Sequence, residues 1–539
     1  MSGIRTTVRW PAFVVAGAFL LALVGTAIFI LMPDRKPLAG YVPLSPSASA
    51  AIARAQRASV VADVAPAPLP TALPLLGGDG VDEDGYPKAY VDRPALRSLL
   101  WQGKFADLDR WFAELQDAFE KDPRKEYWPL DAAEAFGSAE ALLEPQLDAW
   151  VKASPGSFAP WFARSAHRLD RAIAMRGFAY AKDTPRQNFQ EMEMELDLFF
   201  EDAERALALR PKLVAEMRLE IWALNQSAQP AERDAMFEKA ISACPACFQV
   251  RVAEMFGLMP RWGGSAARMR ASAARCDVAK NPRCRFLEGI VDWDESTQEK
   301  DHQRALAAID RALSHGHYSL FLVRRAELLT ATKDYESAVA DCDEAKRQRP
   351  GDPETLAPCI EPRWWLKHYE DAARDMLTIL RTDPTNEEVR PLYDGVSKNV
   401  AWAANEEKKQ GQIESALRLF ELALDLAPSQ PAYVFARSDL KYGPSREVSS
   451  LEDNVAKNPD DLRAHQALDY TLAKQGKFDR VIEIWTAYLA RHPDDARALF
   501  ERSGAYYHLQ RWAECRADDQ RACDLGISEA CGQLQSLPK

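Results

Sequence analysis

The sequence predicts an all-α fold, a solenoid of helical hairpins behind a membrane-length apolar run and a proline-rich linker. Prolines recur 34 residues apart, at Pro211 and Pro245, Pro350 and Pro384, and Pro459 and Pro493. That period belongs to helix–turn–helix units, which must stack because none can bury its apolar face alone. Between the last two prolines, one helical pattern runs from Asp461 to Lys474 and a second from Phe478 to Arg491, with Gly476 between them. The same residue types also recur before each closing proline: Ala416, Phe420 and Ala423 before Pro428, Ala338, Cys342 and Ala345 before Pro350, and Ala372, Met376 and Ile379 before Pro384. Small residues let two helices approach, and larger ones fill the space beside them.

Taken in order, residues 1–11 form a short tail and residues 12–32 an uncharged run of 21. Such a run crosses a hydrocarbon core of about 30 Å as a helix. A secretory signal would show a shorter apolar region and then a small-residue cleavage site, and none directly follows Met32. The expectation is therefore a single-pass protein of the bacterial inner membrane. Arg5 and Arg9 nearly balance Arg35 and Lys36, while Asp34 and the amino terminus tilt the start of the chain toward the cytoplasm and the repeats toward the periplasm.

Residues 33–94, rich in Ala, Pro and Ser, read as a flexible linker. Asp82, Asp84 and Gly85 fit three positions of a calcium loop, but Gly80 and Val91 stand where carboxylates are required. The acidic stretch therefore reads as solvated. Helical periodicity begins near Leu96 and defines a helical domain over 95–284. A repeat array with a polar C-terminal cap follows over 285–539. Within the array, Pro353, Pro358 and Pro362 break up one first helix, and Glu387 to Lys409 makes another unusually long.

Three resemblances follow from these residues. Ala416, Phe420 and Pro428 reproduce the alanine, phenylalanine and terminal proline of the tetratricopeptide family, which the array resembles. Ala522 to Cys531 resembles the cysteine-stapled Sel1-like repeats of exported bacterial proteins. The segments Gln102–Leu115, Trp150–Gly177 and Pro260–Ser265 resemble a bacterial domain of unknown function, number 4034, which lends no catalytic residue to carry over.

Cys276 with Cys284, and Cys523 with Cys531, straddle expected turns, and a turn can bring such positions within disulfide reach. Cys342 and Cys359 could join adjacent repeats. Cys244 and Cys247 form a Cys-x-x-Cys pair at a helix junction rather than in the strand-to-helix setting of a redox motif, so the pair reads as a small structural disulfide or as packing. Cys515 is left over. Disulfides would place the domain outside the cytoplasm.

The formal net charge of −12 argues against nucleic-acid binding, which needs a basic face. No phosphate-binding loop, zinc-protease motif or nucleophile elbow occurs. His315 and His317, with His302 nearby, are the best metal candidates, yet they fall in a turn where exposed histidines are ordinary. No metal, cofactor, small-molecule substrate or catalytic residue is expected.

Stacked hairpins favour binding, with first helices lining a concave surface. The tetratricopeptide resemblance implies groove positions at Leu320, Val323 and Glu327, at Lys398, Asn405 and Lys408, at Arg463, Gln466 and Tyr470, and at Arg497, Phe500 and Tyr507. The expected function is thus a membrane-anchored scaffold for an unidentified protein or peptide partner in the cell envelope. The alternative is an enzyme or enzyme subunit with its site in the 95–284 domain, around Arg176, Arg261 and Trp262.

Overall fold

The computed structural model describes residues 64–177, 184–386 and 388–538. Hairpins of antiparallel helices, stacked in sequence, make up nearly all of it, and a two-residue antiparallel ladder pairs Leu75 with Val91 and Leu76 with Tyr90.

Proline sets the length of each hairpin. The residue before a proline is driven out of the helical region toward extended backbone. Arg349, Asp383, Ala427 and Asn458 accordingly have φ of −136°, −135°, −134° and −133° and end their helices. Asp122, Arg210 and Cys244, before Pro123, Pro211 and Pro245, do the same in the N-terminal half. Aspartates begin several first or second helices by accepting from the backbone two or three residues on, as Asp301, Asp334, Asp461 and Asp495 do.

A second device sets the turn inside each hairpin. Positive φ occurs at Gly103, Ala228, Lys333, Lys367, Gly411, Gly476 and Gln510, each between the two helices of one hairpin. Two of these turns lie before residue 284, so the helical domain is built from the same unit as the array. An L-residue pays about 1–2 kcal/mol for this conformation and glycine does not. Lys367→Gly and Gln510→Gly are therefore expected to raise stability by about 0.5–1 kcal/mol each, after the larger entropy of an unfolded glycine is deducted. Gly476→Ala should lose about 1 kcal/mol, since its Cβ would meet nothing within 4 Å and only the backbone strain is felt. Urea midpoints at unchanged m-value would check all three.

From Phe286 to Asp524 seven helix pairs follow one another, and a last helix, Ser528–Ser536, packs on the final pair. Small-and-large packing holds them together: Ala338, Cys342 and Ala345, and Ala372, Met376 and Ile379, are fully buried. The proline-broken first helix consists of Pro353–Leu356, a tight turn at Ala357–Cys359 and Ile360–Trp365. The long one spans Arg390–Lys409.

The superhelix curls back onto its own beginning. Helix Arg93–Trp101 lies against helix Tyr369–Thr382, Arg93 pairs with Asp352 at 3.5 Å, and Arg349 with Asp131 at 2.8 Å. At the far end Gln146 donates to the Asp524 carbonyl, and the Trp101 ring covers Gly526.

Two expectations need correction. Residues 33–63 of the expected linker lie outside the described residues, but 64–94 is a packed strap rather than a loose tether. Its backbone bonds to Asp425 and Arg381 through Ala65 and to Ser98 through Ala67. Two carboxylates of its acidic stretch are not left to solvent: Asp82 pairs with Arg283 and Asp84 with Arg285, while Asp79 and Glu83 are exposed. Tyr86 is buried, with its hydroxyl donating to Glu126 and accepting from Asn281. Glu126 in turn accepts from the backbone N–H of Phe248 and Gln249, at the start of a helix. Burial pushes the Glu126 carboxyl up to about 6 despite these bonds.

The second correction concerns location. Among the described residues no helix is long and apolar enough to cross a membrane, and the 12–32 run lies outside them. The single-pass inner-membrane assignment, with its periplasmic repeats, is therefore withdrawn.

Candidate functional site

The array meets the N-terminal helices along a seam, and carboxylates gather there. Asp170 and Glu134 come from helices Ala159–Arg176 and Tyr127–Glu134. Glu327 comes from helix Ser319–Ala331, Glu354 from Pro353–Leu356, and Asp383 and Glu388 from the segment after Thr382. Glu134 is neutralised by Arg93 and Arg218, and Asp383 accepts from Ser138 and Thr385. Among the described residues, Asp170, Glu354 and Glu388 have no cationic partner within 4 Å.

Solvent reaches these three side chains, with Glu354 exposed and the other two half-buried. The surrounding chain nonetheless withdraws enough water to disfavour their charge. Burial first, then Asp383, Glu134 and Glu354, push Asp170 up to about 8. Burial, Asp352 and Glu134 bring Glu354 to about 7, and burial with Glu354 brings Glu388 to about 7. Burial also raises Glu327 well above the usual range; Arg324 opposes this and Glu388 adds to it. Like charges facing one another across a partly desolvated seam hold protons that isolated carboxyls would release.

The expected groove positions divide sharply. Leu320 and Val323 pack partly buried against the core of the first array hairpins. Lys398, Asn405 and Lys408 are exposed, Lys398 beside Asp394 and Asn405 bonded to the Ala401 carbonyl. Arg463, Gln466 and Arg497 are a correction: they are buried and do not line an open surface. Arg463 and Gln466 donate to the Pro428 carbonyl, Gln466 also to Glu501, and Arg497 to Ser429. A helix ended by proline leaves carbonyls unbonded, and Arg463, from the next hairpin, satisfies that of Leu424. Tyr470 donates weakly to the same Glu501, Phe500 lies beneath the Arg497 guanidinium, and exposed Tyr507 stands near the end of helix Ala496–His508, beside His508 and Trp512.

Cys244 and Cys247, Cys276 and Cys284, Cys342 and Cys359, and Cys523 and Cys531 form disulfides in the structure, with Cα separations of 5.4, 5.5, 5.7 and 4.8 Å. Cys515 is free and buried, and burial pushes its thiol up to about 12. His317 bonds Glu344, and among the described residues no group of three His, Cys, Asp or Glu could hold a metal. The residues of the enzyme alternative sit in separate cores: Arg261 pairs with Asp294 over Trp293 beside Trp262, whereas Arg176 packs on Phe189.

A continuous stack of hairpins is the architecture of a helical-repeat protein. The chain carries tetratricopeptide repeats, whose family model matches residues 298–353 and 470–530, and a domain of unknown function (DUF4034) at 92–236. Among solved structures, the crystal structure of the P58(IPK) TPR domain is 17% identical, covering 79% of this chain and 97% of that one, at a TM-score of 0.21. Yeast Tom70 is 12% identical, covering 77% and 99%, at a TM-score of 0.20. Neither score supports a shared overall shape. No curated protein matches the chain.

Proposed function

We propose that this chain is a non-catalytic scaffold whose seam takes a basic, extended segment of a partner protein. The observation that carries the reading is the set of three solvent-reached carboxylates, Asp170, Glu354 and Glu388, held together without a cation of their own. Lysine or arginine from a partner would relieve their repulsion and draw them into the ionised state, since an opposite charge nearby favours that form. Exposed Lys398 and Lys408 lie on the long helix of the same array and limit where a basic segment can run.

The test is titration of the full chain with a labelled peptide of about 12 residues alternating lysine and glycine. Glu354→Gln with Glu388→Gln should weaken binding at least tenfold, and added salt should weaken it in the parent protein. Equal affinity in parent and variant would overturn the reading.

The free protein also carries a pH signature. An unfolded chain releases these protons near pH 4, while the folded seam keeps them until about pH 7 for Glu354 and Glu388 and about 8 for Asp170. The folded state thus binds more protons within that window, so stability declines as pH rises from about 4 to 8. Unfolding midpoints across that range should fall less steeply in the double glutamine variant.

A further inference from the structure

Two short loops, each closed by a disulfide, meet at the buried anchor of the strap. Cys244 and Cys247 close one, and Cys276 and Cys284 close the other. Asn281, inside the second loop, ties both to the strap. Its side-chain amide donates to the Tyr86 hydroxyl at 2.9 Å and to the Ala246 carbonyl, inside the first loop, at 2.7 Å. Arg283, two residues further on, pairs with Asp82 at 2.6 Å and lies 3.6 Å above the Tyr86 ring. The residues that grip Tyr86 and Asp82 therefore come from within one stapled loop.

The tip of that loop has no core of its own. Helix Ala266–Ala273 has already ended, and Asp277, Val278, Ala279 and Lys280 are all exposed. The Asp277 carbonyl accepts from the backbone of Lys280 and Asn281, which shapes the tip without anchoring it. A crosslink restricts the loosened state of the segment it closes, and cutting it returns that freedom. The disulfides also differ in reach. Cys276 is half-buried, whereas Cys244, Cys247, Cys342 and Cys359 are each at most 5% exposed. Thiol exchange requires a thiolate to reach a sulfur, so the loop pair is open to it and those two pairs are shielded. Cys523 is half-buried too, but its loop faces Trp101 and Gln146 instead of the strap.

We propose that the Cys276–Cys284 disulfide is a redox latch on the strap. Oxidised, it holds Asn281 and Arg283 against Tyr86 and Asp82; reduced, it lets the strap's hairpin tip, residues 79–88, leave the helical domain. The ladder of Leu75 with Val91 and Leu76 with Tyr90 keeps the rest of the strap in place. The reductant is a dithiol. Its thiolate attacks the Cys276 sulfur, the bond to Cys284 breaks, and Cys284 leaves as a thiolate that takes up a proton. The reductant's second thiolate then displaces Cys276, which is protonated in turn, and closes a disulfide within the reductant; the two electrons gained by the protein are those the dithiol loses. Release uncovers Glu126 beside the start of helix Phe248–Gly257, where the Tyr86 hydroxyl had covered it.

The test is hydrogen exchange of the full chain during graded addition of dithiothreitol, with N-ethylmaleimide labelling and peptide mass spectrometry to show which pairs have opened. Residues 79–88 hold no cysteine. The amides of Asp82, Gly85, Tyr86 and Lys88 are bonded within the tip, so they report its release. Once Cys276–Cys284 is open and Cys342–Cys359 still closed, exchange at these amides should quicken about tenfold or more. Helix Arg93–Trp101 should keep its rate. Cys276→Ser with Cys284→Ser should match the reduced state without reductant, and Asn281→Ala should also quicken the tip with the disulfide intact. Cys523→Ser with Cys531→Ser should leave the tip at the parent rate. Any of these results would overturn the latch: Cys276–Cys284 outlasting the shielded pairs, tip exchange unchanged once it has opened, an equal quickening throughout the chain, a parent rate in Asn281→Ala, or a quickened tip in the Cys523 variant. Where the Cys276 variant does not fold, reduction of the parent chain decides by itself.

Discussion

Arg93→Met is expected to cost about 3–5 kcal/mol in the first unfolding transition. Arg93 is 4% exposed, and its guanidinium reaches Asp131 at 2.6 Å, Glu134 at 2.7 Å and Asp352 at 3.5 Å. Burial disfavours its charge, but the three carboxylates outweigh burial and raise its pKa. Methionine would fill much of the space and leave Asp131, itself buried, short of one of its two cations. Removing Asp131 as well gives no rescue, because Arg349 depends on the same carboxylate. The loss should also open the seam, since Arg93 joins the first helix to the array. Urea unfolding would measure the first effect and amide exchange along helices Arg93–Trp101 and Tyr369–Thr382 the second. A change below about 1 kcal/mol, the scale of an exposed pair, would show that the cluster is hydrated.

Trp150→Ala should cost about 3–5 kcal/mol, the usual result of emptying a large buried aromatic site. Trp150 is 0% exposed. Its ring lies 5.5 Å from Phe112 and 5.9 Å from Phe136, edge to face, and stacks on Phe105 at 6.4 Å. Its indole N–H also donates to Asp109, which Ser154 bonds as well. Trp150→Phe keeps the apolar contact and drops only that donor, so it should cost about 1–2 kcal/mol less than alanine does. Near-ultraviolet circular dichroism and urea midpoints would separate a cavity from wider loosening of the 93–223 core.

The hairpin architecture was legible because its determinants act locally. A proline shapes the residue before it wherever it stands, and an alanine twelve residues before its closing proline, as Ala338, Ala372 and Ala416 are, is buried in every one of these hairpins. The hairpin turn at Ala228, like those at Lys333, Lys367 and Gln510, was not legible, because a non-glycine residue in that conformation leaves no mark in the sequence. The strap was misread for a different reason. Asp82 and Asp84 find Arg283 and Arg285 some 200 residues away, and no local pattern announces such partners. Arg463, Gln466 and Arg497 were placed in the groove from their register, but the Leu424 and Pro428 carbonyls claimed the first two and the Ser429 hydroxyl the third. The acidic seam was invisible for the reason the strap was: Asp170 meets Glu354 and Asp383 only once the superhelix has turned back on itself.

That return has a bearing on how the molecule can change over time. Repeat proteins ordinarily gain or lose units by duplication, because each unit answers only to its neighbours. Here the copy number between Arg349 and Gly526 is locked, since one extra hairpin would carry Gly526 away from Trp101 and leave Asp524 beyond the reach of Gln146. Divergence in this lineage should proceed by substitution within the hairpins it has.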